Sequence, residues 1–207
     1  MSLAATVAGV GVGVDEVDAR EAALRATPQV VALPRPGTSE GRQLRRWLTQ
    51  LVVTERVIAR EAAMLGVAVT PATPGEQDLL PDPTARLEIG SVAAAVLTDP
   101  VARAVFAHVT RDIDVDEEIV AAYHARNPRR FQRFGTGAGG ACAVGWRIGS
   151  TPDLAEARPL IAAHLRGSAR RRGFRIWLDQ RRADLVWLAP GYEHPGDPRQ
   201  PDNTHQH

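Results

Sequence analysis

Thr38–Gly66 reads TSEGRQLRRWLTQLVVTERVIAREAAMLG. Leu44, Trp47, Leu48, Leu51, Val52, Ile58, Ala62 and Leu65 recur at three- and four-residue spacing, which gathers them on one face of an α-helix. Thr38-Ser39 offers hydroxyls to the first free amides, and Gly66 can adopt the left-handed conformation that ends a helix. The spacing predicts a helix over Glu40–Leu65. A helix this long is stable in water only if other elements cover its apolar face. The chain is therefore expected to be mainly α-helical.

On the N-terminal side, Val10, Val12 and Val14 alternate with Gly9, Gly11 and Gly13. That is a strand period over Thr6–Val14, with a tight turn expected at Val10-Gly11. Asp15 is placed to cap a short helix, DEVDAREAALRA. The segment PQVVALPRPG carries three prolines and is expected to be loop with an extended core. On the C-terminal side, VAVTPATPGEQDLLPDPT reads as a Pro-rich connection. Short helices follow over Ser91–Leu97, from Pro100 to His108 behind an Asp99-Pro100 cap pair, and over Asp114–Arg126. A second long helix is expected from about Glu156 to Ala183, lined by Leu160, Ile161, Leu165, Phe174, Trp177 and Leu178. Ala183–Ala189 then turns strand-like. Pairing of the two terminal strands would close the fold.

Composition narrows the function classes. The chain has 207 residues, 44% hydrophobic and 24% charged, which suits a soluble globular protein with a substantial core. Every basic side chain is an arginine, and the formal charge is +1, so no global field draws in nucleic acid or an anionic membrane. Cys142 is the single cysteine, which excludes an internal disulfide and a cysteine zinc cage. The first residues have no basic run before their apolar stretch, and no window is long enough to span a bilayer. A cytoplasmic location without a membrane partner is the expectation.

The order of elements resembles that of SurA-like peptidyl-prolyl isomerases and chaperones. VAGVGVGVDEVDARE is similar to the strand, turn and helix that open that family, where the turn is usually Asn-Gly. RQLRRWLTQLVVTERVIAREAAMLGVAVT resembles the helix that follows. HVTRDIDVDEEIVAAYHARNPRRF looks like the helix before the parvulin domain, and ARPLIAAHLRGSARRRGFRIWLDQRRADLVWL like the helix and strand after it. The likeness spans most of residues 6–189. A parvulin domain has roughly a hundred residues, whereas about twenty separate Phe131 from Thr151. The glycine-rich loop 132–151 thus stands where a catalytic domain would be inserted, and the paired histidines and pocket aromatics of a parvulin have no counterpart.

The resemblance implies a single helical chaperone module over residues 1–190, similar to the SurA N-domain, with a small β-pair of N- and C-terminal strands and a flexible tail over 191–207. Its expected work is non-catalytic binding of a non-native or partner polypeptide in an apolar helical groove. Trp47, Leu51, Phe174 and Trp177 are the candidate lining residues; buried hydrophobes at helical spacing equally serve as core. No catalytic residue is assigned. A residual prolyl isomerase activity is one alternative. The other is a metal-handling accessory role for the tail, where Glu193, His194, Asp197, Asp202, His205 and His207 fall within fifteen residues. His194, Asp197, His205 and His207 are the candidate ligands for zinc or another divalent transition metal; a solvated tail is the plain reading.

Other motifs weigh less. Gly9-x-Gly11-x-Gly13 departs from the dinucleotide fingerprint at its third position, and Gly135–Gly140 lacks the Lys and Ser/Thr of a phosphate loop. Cys142 has no His or acid beside it in sequence, so it reads as an inert thiol. His164 lies beside the apolar face of its helix and is expected to be packed and hydrogen-bonded. The arginine clusters 129–133 and 170–175 read as solvated faces, with nucleic acid not an expected partner; they could equally rim a client groove and favour acidic segments. Exchange of terminal strands between copies would give a homodimer.

Overall fold

The computed structural model describes residues 2–127 and 154–197. The chain is mainly helical, with a small antiparallel sheet built from both ends of the sequence. Two compact units account for it. The first comprises residues 1–109 and 174–207, the second residues 110–173.

The first unit opens with strands β1 (Leu3–Val7) and β2 (Val10–Gly13), joined by Ala8-Gly9. Ala8 and Gly9 both take positive φ, +50° and +81°. That pair of signs is the mark of the type I′ turn, whose twist matches two right-twisted strands. The turn expected at Val10-Gly11 therefore falls two residues earlier, and Val10 pairs with Val7 inside the ladder. Strand β3 (Val186–Leu188) joins β1 from the other side, giving the order β2-β1-β3. Thr6 stands opposite Trp187, and Ala5 opposite Leu188. Ala5 and Val7 of the central strand are buried.

Helix α1 runs from Val14 to Arg25. Its N-cap is Gly13 rather than a residue with a capping side chain, and Glu16 reaches back to accept the Gly13 N–H at 2.9 Å. The prolines after it do not keep the chain extended: Pro28–Ala32 forms a 3-10 turn, with Pro28 at its first position, where its missing N–H costs nothing.

Helix α2 (Ser39–Leu65) is the axis of the unit. The Thr38 hydroxyl accepts the Gly41 N–H at 3.1 Å, and Gly66 ends the helix at φ +64°. Both ends follow the sequence expectation. Leu48, Leu51, Val53, Val57, Ile58 and Ala62 are buried along it. It packs against α1, β1, and the helices α5 (Ser91–Val96) and α6 (Pro100–Val109). The Pro-rich connection contains the short helix α3 (Glu76–Leu79), and a second, α4 (Pro83–Ile89), begins at its last two residues. Asp82 caps the second, accepting the Ala85 N–H at 2.8 Å, and Pro83 follows it. This is the same Asp-Pro device that opens α6, where Asp99 accepts the Val101 N–H at 2.9 Å. Ala85 and Ile89 of α4 join the core.

In the second unit, helix α7 covers Glu117–Arg126. Its start lies three residues beyond Asp114, whose carboxylate is occupied by the Val115 N–H at 2.7 Å and Arg166 at 2.8 Å. The first half of the long helix α8 (Leu154–Leu185) packs beside it. Val120 of α7 shares a small core with Ala157 and Ile161 of α8, flanked by Val115, Tyr123 and Leu165. His164 lies against Tyr123, with ring centroids 5.8 Å apart and Nε2 3.4 Å from the phenol oxygen. The second half of α8, from Phe174, belongs to the first unit and inserts Phe174 and Leu178 into its core.

Candidate peptide-binding groove

The four aromatic and aliphatic residues singled out from the sequence all belong to the first unit. Phe174 is fully buried, its ring 5.0 Å from Phe106 and 5.6 Å from Trp177. Leu51 is buried as well. Trp177 is half-buried and packed against the same core. Trp47 lies between two apolar clusters, and its indole N–H donates to the Ser91 hydroxyl at 3.1 Å. The structure brings Phe174 and Trp177 together, but none of the four lines the open groove of this unit.

That groove runs along the flank of α2 beside its buried face. Val52, Glu55, Arg56 and Ala59 follow one another at helical spacing and form its α2 side. Opposite them, α1 contributes Glu16, Ala19, Arg20 and Ala23, with Asp99 nearby, around a hollow of about 610 Å³. A second hollow of about 540 Å³ is lined by Val7, Ala8 and Val10 of the hairpin and by Arg56, Ala59 and Arg60 of α2. Arg56 and Ala59 line both, so the two run together. Between the charged side chains the floor is short, made of Ala19, Ala23, Val52 and Ala59, and Val10 is 63% exposed at the hairpin end. Short apolar walls leave room for the larger side chains of a partner.

Ion pairs fix the rims. Arg20 meets Glu55 at 2.8 Å, and Arg56 meets Glu16. Behind the groove, Arg45 pairs with Asp18 at 2.6 Å and Glu21 at 3.0 Å, which ties α1 to α2. Arg56 also donates to the Gly11 carbonyl at 2.8 Å. In a hairpin closed by Val7 and Val10, the Gly11 carbonyl points away from β1, so Arg56 covers the free edge of β2 and blocks strand addition there. Arg60 differs from its neighbours: its Nε is buried with no hydrogen-bond partner among the described residues.

Sequence reasoning passed over this groove because Glu55, Arg56 and Ala59 carry the signature of a solvated helix face and Val52 that of the apolar stripe. The available signal was the row Val52-Glu55-Arg56-Ala59, where the edge of the apolar stripe meets charged side chains and a short alanine. Only the positions of α1 and the hairpin turn that row into a groove.

Of the proposed metal ligands, His194 and Asp197 are described. The His194 Nδ1 accepts the Gly196 N–H at 3.0 Å, and its carbonyl accepts the Asp197 N–H at 2.9 Å. Partial burial, then the nearby Arg182 guanidinium, lower its pKa below the usual 6.5. Among the described residues no three His, Cys, Asp or Glu side chains cluster. His205, His207, Cys142 and the glycine-rich loop 132–151 lie outside the described residues. No helix among those described is long and apolar enough to cross a membrane.

A family model described as "Family of unknown function (DUF7158)" matches residues 3–40. This stretch holds the hairpin and α1, the wall of the groove that faces α2. No curated protein and no solved structure matches the chain.

Proposed function

We propose that this protein binds segments of another polypeptide in the groove between α2, α1 and the β1-β2 hairpin, as a non-catalytic chaperone or assembly factor. The observation that carries the reading is the floor of short apolar side chains, Ala19, Ala23, Val52 and Ala59, beside the ion pairs that join α1 to α2. Burial of a client's apolar side chains there would drive binding with low sequence specificity. The resemblance in element order to SurA-like chaperones supports the same assignment. The groove lies on the flank of α2, about a quarter-turn round from Leu51, and leaves Leu51 and Phe174 in the core.

Ala59 is exposed and stands where the two hollows meet. Ala59→Glu keeps a good helix former at the position and fills the groove with a charge. The wild-type protein should suppress light scattering of an aggregating unfolded client at near-stoichiometric ratio. Ala59→Glu should need about ten times more protein for the same effect, with an unchanged far-ultraviolet circular dichroism spectrum. Equal suppression by both proteins, or none by either, refutes the proposal.

A further inference from the structure

Building on the peptide-binding reading of the groove, we infer that its hairpin end selects a client segment carrying an internal Asp or Glu among apolar residues, the carboxylate pairing with Arg60. The two ends of the groove differ in charge. At the α1 end, Glu16, Glu55 and Asp99 accompany Arg20 and Arg56. Those charges are matched internally: Arg20 to Glu55, Arg56 to Glu16, and Asp99 to the Val101 N–H. At the hairpin end, the charged lining consists of Arg56 and Arg60, with no carboxylate between them. Arg56 is already committed to Glu16 and the Gly11 carbonyl. The Arg60 Nε is enclosed and has no acceptor among the described residues, so a partner reaches this guanidinium through its Nη groups.

A guanidinium with an unsatisfied Nε is an uncompensated cation at the groove wall, and a partner that brings an acceptor to its Nη groups offsets that cost. A carboxylate does this better than a neutral carbonyl, because it accepts two parallel N–H bonds and cancels the charge. Val7, Ala8 and Val10 surround the same space. Apolar residues on either side of the client's acid would therefore pack on the hairpin and exclude water from the new ion pair, which strengthens it. The two hollows share Arg56 and Ala59, so a bound chain runs through from one to the other. This places the acid within the segment and not at a free C-terminus.

The test uses the full-length protein and two fluorescein-labelled nonapeptides with amidated C-termini, alternating Val and Ser, with Glu or Gln at the centre. Fluorescence anisotropy should show the Glu peptide binding wild type about fivefold to tenfold more tightly at low salt. The advantage should largely persist at about 0.5 M salt, because a pair shielded from water is screened little. Arg60→Met keeps the apolar stem without the guanidinium, and should bind both peptides as the wild type binds the Gln peptide. Equal binding of the two peptides by wild type, with both lost in Ala59→Glu, overturns the acidic preference and leaves the groove intact. A Glu preference that survives in Arg60→Met overturns the assignment to Arg60. Failure of wild type to bind either peptide overturns this inference together with the reading beneath it.

Discussion

Gly41 stands in the first turn of α2, where helix propensity favours alanine by about 1 kcal/mol. The structure reverses that preference. A Cβ at Gly41 would lie 2.3 Å from the carbonyl oxygen of Arg35, a backbone atom that the entry to the helix holds in place. Gly41→Ala is therefore expected to destabilise the protein by about 1–3 kcal/mol, read as a fall in the midpoint of urea unfolding. Ala8 presents the opposite case. It holds a φ of +50° with no glycine to relieve it, next to Gly9 in the turn. Ala8→Asn installs the Asn-Gly pair that such turns favour and should raise stability by about 1 kcal/mol in the same assay.

Elements are fastened by individual charges as much as by apolar faces. In the second unit, Arg166 of α8 reaches Asp114 ahead of α7, and Arg158 reaches Glu117 at 3.2 Å. The Arg166 hydrogen bond, then the Val115 N–H, hold the Asp114 carboxyl below its ordinary pKa of 3.8. A carboxyl with a depressed folded pKa favours the folded form above its ordinary value. That contribution fades as the pH drops below 3.8 through the folded pKa. Titration of the Asp114 carboxyl carbon by NMR should accordingly show a midpoint below 3.8, returning towards 3.8 in Arg166→Gln. A midpoint unmoved by the substitution would mean that the pair is only incidental. Both groups are well exposed, so the effect on stability is small.

At the scale of the whole molecule, the segment after β3 is strapped to α2 within the first unit. Gln50 is fully buried. Its amide donates to the Tyr192 carbonyl at 3.0 Å, and its oxygen accepts from Arg182, whose own pKa is lowered by burial. Arg46 donates to the Gly191 carbonyl at 3.2 Å. Thr49 and Thr54, buried on the same helix, return their hydroxyls to the Arg45 and Gln50 carbonyls. Gln50→Ala would strand the Arg182 donor and the Tyr192 carbonyl together. It should cost about 1–3 kcal/mol and speed hydrogen exchange of the Tyr192 amide, which bonds to the Ala189 carbonyl beside β3. Unchanged exchange there would show that β3 alone holds the segment.

Read on its own, the sequence determined most of the helical content and the pairing of its two ends. Those features rest on local chemistry: the three- and four-residue spacing and Thr38 and Gly66 caps of α2, the Asp99-Pro100 start of α6, and the strand alternation at each terminus. The tertiary structure decided where the groove lies. Arg56 and Ala59 look like any solvated helix face until α1 and the hairpin close over them, and Leu51 and Phe174 look like any binding face until the core fills around them. The short helix α4 at the end of the Pro-rich connection belongs with these. Its apolar residues, Ala85 and Ile89, are too few to announce a helix, and become meaningful only because α2 and α5 offer them a core. Periodicity reports which side of a helix is apolar, because it depends on neighbours a few residues away. Which side remains open depends on elements more than forty residues away, as Arg56 and Gly11 are, and no local pattern carries that information.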